Sequence, residues 1–290
     1  MFMKKKTIVL SGIAFVVTAA LVAKAIIFTV PKSPEFIELS QTQVSAQPTY
    51  QSGCETFPAS APLDRNGELS VLVWNIYKQQ NEGWKRALIE LSDKTDLVLL
   101  QEASLTPELK EFVVNKRYSA ELVRAFDVFD TSAGVLSLAK EQALRVCAHT
   151  AVEPWLRLPK SALLSEYPLS NGQELMVINI HAINFTIGTE DYQQQIASLS
   201  KEVSRHSGPM IIAGDFNTWS EARLATLRKQ VEELDMKEVI FSPDERMRFM
   251  TGLALDHIFY RGLDIKEARS IKSHASDHNP LQAIFSLKKQ

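Results

Sequence analysis

The sequence predicts an α/β domain in which two mixed β-sheets pack face to face with helices outside. Three observations predict it. Short apolar runs of strand length recur through the chain, and they outnumber the segments with helical periodicity. Many of these runs are close neighbours with hairpin-length connections, which argues against a purely parallel sheet. A length of 290 residues suits one large α/β domain or two small ones and can bury a sizeable core.

Taken in order, the chain begins with Lys4, Lys5 and Lys6, followed by a charge-free stretch from Thr7 to Ala23; Lys24 interrupts, and Ala25–Val30 continues apolar. A membrane-spanning anchor would hold the three lysines inside and let Lys24 snorkel. A signal peptide would be cut near Ala23–Lys24–Ala25, which has the small-x-small form. The anchor over 1–30 is the preferred reading. Either one places the body outside the cytoplasm, whereas a buried helix would leave a cytoplasmic protein. Residues 31–66 hold Pro31, Pro34, Pro48, Pro58 and Pro62 among Ser, Thr and Gln and are expected to be a linker, either a tether or a strap over the surface. The domain is assigned to 67–290.

Leu69–Trp74 opens that domain as a strand ending in Asn75. Residues 82–92 read as a helix with Trp84, Leu88 and Leu91 on one face. Asp96–Leu100 is a second strand, ending in Gln101–Glu102. Thr106–Pro107–Glu108 starts a helix, with a capping hydroxyl, a proline in the first turn and an acid at the positive dipole end. Ala133–Leu138, Leu144–Ala148, Ala162–Tyr167 and Glu174–His181 read as strands. A helix near 190–206 buries Tyr192, Ile196, Leu199 and Val203, and Gly208–Pro209 stops it. The run Ile211–Ile212–Ala213–Gly214 delivers Asp215 and Asn217 to the rim of a sheet, where chemistry in open α/β folds tends to sit. A helix from about 219 and strands at Leu255–Tyr260, Ile265–Ile271 and Leu281–Leu287 complete the chain.

The formal charge of -2 conceals an asymmetry, because the first 30 residues carry four lysines and no acid, leaving the body at about -6. An acidic body does not track nucleic acid by bulk electrostatics; such binding needs a local basic patch or a bridging metal. Two cysteines, Cys54 and Cys147, are too few for a disulfide scaffold. Two unpaired thiols are favoured slightly over one bridge.

Several strands end in residues suited to phosphoester hydrolysis. That chemistry needs a hard cation held by oxygen ligands, an aimed and deprotonated water, and groups that stabilise charge on the phosphoryl and leaving oxygens. Glu102 and Asp277 offer carboxylates, with Asn75 as an amide oxygen. Asp215 and Asn217, two apart on an extended segment, share one side and can grip one water or one phosphate oxygen. Asp256 can orient and charge His278, and His181 could donate to the phosphate. His257 faces the opposite way from Asp256 and reads as structural. Ser276–Asp277–His278 is not a serine-hydrolase triad, because the chain has no Gly-x-Ser-x-Gly elbow.

The ordered series Trp74–Asn75, Gln101–Glu102, Asn179–Ile180–His181, Gly214–Asp215–Phe216–Asn217, Leu255–Asp256–His257 and Ser276–Asp277–His278 resembles the endonuclease/exonuclease/phosphatase superfamily over about 68–287. Val73–Gln80, Pro159–Leu163 and Asn179–Phe185 are similar to its YafD-like bacterial branch. The resemblance implies a four-layer, DNase I-like α/β sandwich and a phosphoester hydrolase using magnesium, with manganese as a substitute. It implies Glu102 as the main metal ligand with Asn75 and Asp277 lining the site, and Asp215 activating water with Asn217 as partner. Asp256 and His278 would meet the scissile phosphate, with His181 alongside. Abasic-site enzymes place a second carboxylate two residues after the first Asn; here that position is Tyr77, which puts a second metal in doubt. Lys78, Lys160, Asn184, Arg246 and Arg248 are candidate substrate contacts. The expected activity is a phosphodiesterase or nuclease. A phosphomonoesterase, a lipid-head-group hydrolase or a non-catalytic binding module are the alternatives. The partner is a phosphoester, nucleic acid or phospholipid head group, with a membrane engaged through residues 7–30 and no protein partner indicated.

Overall fold

The computed structural model describes residues 27–39, 49–58, 60–155, 157–186 and 188–288. The expected anchor lies outside them apart from its last four residues. No helix among the described residues is long and apolar enough to cross a membrane.

The strands are β1 (Phe28–Thr29), β2 (Glu35–Leu39), β3 (Tyr50–Ser52), β4 (Cys54–Thr56), β5 (Glu68–Asn75), β6 (Leu97–Ser104), β7 (Ser119–Val128), β8 (Thr131–Ala139), β9 (Arg145–Val152) and β10 (Pro159–Pro168). They continue with β11 (Glu174–His181), β12 (Met210–Asp215), β13 (Lys237–Glu238), β14 (Asp256–Arg261), β15 (Leu263–Ser270) and β16 (Leu281–Leu287). The helices are α1 (Trp84–Ser92), α2 (Pro107–Asn115), α3 (Glu190–Val203) and α4 (Glu221–Glu232). One sheet runs β15-β16-β5-β6-β8-β7-β2-β3, with β1 also on β7, and the other runs β13-β14-β12-β11-β10-β9-β4. Among the described residues only β5/β6 and β11/β12 pair in parallel; α1 and α3 make the crossovers that parallel neighbours require.

The layering explains why the central runs are apolar at every position. In β5, Val71 and Val73 face the space between the sheets, where they join Leu163, Val177, Ile211 and Ile258. Leu72 and Trp74 face the opposite way, into a core with Leu88 of α1 and Leu109, Phe112 and Val113 of α2. On the second sheet Ile178, Ile180 and Ile212 pack with Tyr192, Leu199 and Val203 of α3 and Leu227 of α4. A strand covered on both faces has no exposed side to mark with polar residues. The result is four layers, helices–sheet–sheet–helices, as expected.

One region selects between two readings of the sequence, and two depart from it. The described part of 31–66 is no free tether: Phe36 and Ile37 are buried, and β2 pairs with β7. Residues 50–56 cross from the edge of one sheet to the edge of the other, β3 on β2 and β4 on β9, so this strap staples the two sheets together. Cys54 and Cys147, directly opposite in the β4/β9 register, form a disulfide, so the expectation of two free thiols is overturned. Finally, β7 has no counterpart among the expected strands, because Glu121, Arg124 and Asp127 break up its apolar pattern.

Candidate active site

Strand register assembles the site. His181 at the end of β11 is the Cα partner of Asp215 at the end of β12, and Asp215 is the partner of Asp256 at the start of β14. Register partners on adjacent strands point to the same side, so three residues from distant parts of the chain stand in one row. Gly214 makes this approach feasible: its φ is +142°, and a Cβ there would lie 2.0 Å from the Ile180 carbonyl oxygen.

Asp215 is fully surrounded. Its Oδ1 accepts the Asn217 N–H at 2.9 Å, and its Oδ2 accepts Asn75 Nδ2 at 3.0 Å. His278 Nδ1 is 2.7 Å from Asp256 Oδ2, and its Nε2 is 3.9 Å from Asp215 Oδ2. Burial pushes the Asp215 carboxyl up to about 6, opposed by the His278 charge and reinforced by Asp256. Burial works against a charged His278, but Asp256, then Asp215 and Asp277, hold it as an imidazolium up to about 10. The pair therefore gives a carboxylate near its titration point beside a fixed cation.

His181 differs. Burial, with the charges of Lys160, Lys78 and His278, drives it well below the ordinary histidine range, so it is a neutral ring. Its Nε2 lies 2.8 Å from Lys160 Nζ, 3.4 Å from Asp215 Oδ2 and 3.8 Å from Glu102 Oε1. A neutral Nε2 next to an ammonium accepts a hydrogen bond, so Lys160 rather than His181 is the donor at this corner.

Glu102 sits on a β-bulge in β6 with φ +51°, which re-aims its side chain into the site. The bulge belongs to a group of unusual backbones: Tyr77, Lys78 and Gln79 are consecutively left-handed at φ +48°, +51° and +56°, and Asn217 is at +50°. Non-glycine residues in that region cost on the order of 1–3 kcal/mol each and gather at functional sites. The 77–79 turn throws Lys78 onto Glu102 as an ion pair, and Lys160 approaches the same carboxylate at 3.8 Å.

The remaining expected ligands are placed less simply. Asn75 directs its amide nitrogen to Asp215 while its oxygen accepts the Tyr77 N–H at 3.1 Å, so it positions the acid rather than presenting a free oxygen. Asp277 is exposed, with Ser276 Oγ at 3.3 Å. Ser276 Oγ also donates to the Asn75 carbonyl at 2.7 Å, and Trp74 Nε1 donates to the His278 carbonyl at 3.0 Å, tying this corner to β5. Asn217 commits its amide to the Ala182 carbonyl at 2.9 Å. Asp256 Oδ1 is buried with no hydrogen-bond partner. An orphaned carboxylate oxygen and several acids in one corner suit a hard divalent cation.

Of the candidate substrate contacts, Lys78, Lys160 and Asn184 line one cleft with Glu102 and His181. Arg246 and Arg248 do not join them. Arg246 is bonded to Asp244 and Glu238, and Arg248 to Asp244 and the Gly252 carbonyl, so both brace a loop behind β14. His257 bonds Glu238 and Thr218, at 2.7 and 2.8 Å, and is structural as expected. Sequence reasoning missed Arg223. This buried residue donates to the Asn217 carbonyl at 2.7 Å, to Thr186 Oγ1 at 3.0 Å and to the Ile183 carbonyl, and lies over the Tyr192 ring. Its signal was present: 223, 227 and 231 form the buried stripe of α4.

The sequence profile of the Endonuclease/Exonuclease/phosphatase family matches residues 72–278. A UPF0294 protein of Vibrio campbellii is 49% identical over 279 residues, 96% of this chain and 98% of the relative. The endonuclease/exonuclease/phosphatase of Bacteroides vulgatus superposes with a TM-score of 0.62 at 17% identity, covering 76% of this chain and 99% of that one. ANGEL2, a 2',3'-cyclic phosphatase, gives 0.61 at 14% identity over 77% of this chain and 96% of its own.

Proposed function

Because the chain belongs to the endonuclease/exonuclease/phosphatase family, with its fold and its phosphoester-hydrolase setting, we propose that it is a divalent-metal-dependent phosphodiesterase that attacks phosphorus with water. The observation that carries the reading is the buried Asp215–His278–Asp256 cluster, in which one carboxylate or ring-nitrogen atom from each residue lies within 4.8 Å of the other two.

Glu102 and Asp277 would hold magnesium or manganese, and the ion would supply Lewis-acid neutralisation of charge on the ester. The chain's own residues do the rest. Asp215, held by Asn75 and the Asn217 amide, accepts the water proton as general base. His278, charged and oriented by Asp256, donates from Nε2 to a phosphoryl oxygen and stabilises the negative charge that grows there. Lys160 is the second cationic donor, aligned by His181. The Arg223 clamp fixes the two loops that frame Asp215.

Cleavage of a generic aryl phosphodiester by the full-length protein, with magnesium or with EDTA, tests the proposal. Turnover that EDTA abolishes and that both Glu102→Ala and His278→Ala lose is expected. Turnover surviving in both variants would sink it. We place the catalytic body outside the cytoplasm, supported by the charge-free run Thr7–Ala23 and by a disulfide that an oxidising compartment preserves.

A further inference from the structure

The cleft beside the cluster has a wall that this chemistry does not use. It is a space of about 260 Å³, with Lys78, Glu102, Lys160 and His181 at its polar end and Phe126, Leu158, Pro159 and Phe185 along its apolar side. Around its mouth large aromatic side chains stand in solvent. Phe185 is 55% exposed, and Trp155, between the lining residues Glu153 and Leu158, is 64% exposed. Two backbone bonds span the Trp155 segment: Glu153 N–H donates to the Leu158 carbonyl at 3.1 Å and Arg157 N–H to the Glu153 carbonyl at 2.9 Å. The β7–β8 hairpin, which contributes Phe126 and Gly134 to the lining, carries Phe129 at its tip, 66% exposed. Three large exposed aromatics on segments that each contribute lining residues to one cleft make its mouth the place to look for a contact surface.

The amino-terminal stretch joins the fold at the same place. Phe129 N–H donates to the Ile27 carbonyl at 2.9 Å, Phe28 pairs with Val128, and the Phe28 ring meets the Phe126 ring edge-on at 5.8 Å. Phe28 is thus one side chain from the cleft. Three residues separate Ile27 from Ala23, the end of the charge-free run, and that four-residue step spans at most about 14 Å. If that run lies in a bilayer, the hairpin and the cleft mouth are held at its surface.

From this juxtaposition, and resting on the hydrolase reading above, we infer that the mouth of the cleft docks on a lipid surface through Trp155, Phe185 and Phe129, and that the substrate is a phospholipid head group of that surface. The Trp155 indole, apolar with one polar N–H edge, suits the membrane interface, and the Phe185 and Phe129 rings add apolar area beside it. The two lysines and the small cleft match one phosphate ester; a long polyanion would need a basic track, and the body carries about -6 with Arg246 and Arg248 already paired. In the reaction the water oxygen bonds to phosphorus, Asp215 takes one water proton, and the P–O bond to the glycerol oxygen breaks. Diacylglycerol oxygen leaves beside Lys160, is protonated from solvent, and the phosphorylated head-group alcohol is released.

The full chain reconstituted in phosphatidylglycerol–phosphatidylethanolamine vesicles with brominated acyl chains provides the test. Of the four tryptophans, Trp74 is buried, and comparison with Trp155→Phe isolates the Trp155 signal. Quenching by the brominated chains that disappears in Trp155→Phe, together with metal-dependent release of phosphoglycerol, is expected. Trp155 quenched by aqueous iodide and not by the lipid, or an oligonucleotide cleaved faster than the vesicle lipid, overturns the inference. A soluble aryl phosphodiester keeps the two readings apart. Its hydrolysis without lipid quenching leaves the chemistry standing and removes the docking surface; lipid quenching with no hydrolysis of either substrate does the reverse.

Discussion

Replacing Glu121 with glutamine is expected to stabilise the protein in a pH-dependent way. Glu121 is fully buried on β7; its Oε1 accepts from Ser119 Oγ at 3.0 Å, and its Oε2 has no partner. Burial pushes its carboxyl up to about 8, the Ser119 hydrogen bond opposing and the Glu38 charge reinforcing. The folded state therefore keeps its proton while the unfolded chain loses one at about 4.5, so the unfolded state binds fewer protons through that interval. Stability from this residue falls as pH rises from about 4.5 to 8 and is constant above. The interval of 3.5 units, at about 1.4 kcal/mol each, corresponds to roughly 5 kcal/mol, of which about 4 falls between pH 5 and 8. A neutral glutamine carries no such dependence. Urea unfolding of wild type and Glu121→Gln at pH 5, 6.5 and 8 should show the variant gaining on wild type by that amount as pH rises. A stability difference that does not change with pH would refute the reasoning, since it would mean Glu121 titrates alike in both states.

Asp215→Asn, which is nearly isosteric, should lower kcat by about 10²–10⁴-fold, far more than any accompanying shift of the unfolding curve from turning an amide NH2 toward the Asn75 or Asn217 donor would explain. In the wild type, turnover should rise as pH passes through about 6, where Asp215 loses its proton, and the rise should vanish in that variant. Arg223→Lys cannot reach the Asn217, Ile183 and Thr186 acceptors together; the lost fork and unpaired carbonyls should cost about 2–4 kcal/mol in thermal unfolding and weaken activity alongside. Reducing Cys54–Cys147, which are separated by 93 residues, should cost about 4–5 kcal/mol by the loop-entropy account, measured as a lower urea midpoint without loss of the folded baseline.

Much of the site is legible in the amino-acid sequence. Asn75, Glu102, His181, Asp215 and Asp256 stand at the ends of apolar runs, and run length and flanking residues are local signals. The layered architecture follows for the same reason, since runs such as Val71–Trp74 are apolar on both faces only when both are covered. What chain order does not express is partnership. Asn75 and Asp215 meet across 140 residues and Trp74 and His278 across 204, so whether an amide offers its oxygen to a metal or its nitrogen to a carboxylate depends on who stands opposite. The bulge that turns Glu102 inward, the ammonium that makes His181 an acceptor and the acids that occupy Arg246 and Arg248 are decided in the same way. β7 escapes local reading because its charged residues find buried or paired positions only once β2 and β8 flank it, and Cys54 meets Cys147 only because the strap crosses to β9. Residue type and local period determined which chemistry the chain carries; register between distant strands, which no local period encodes, decided how those residues face one another.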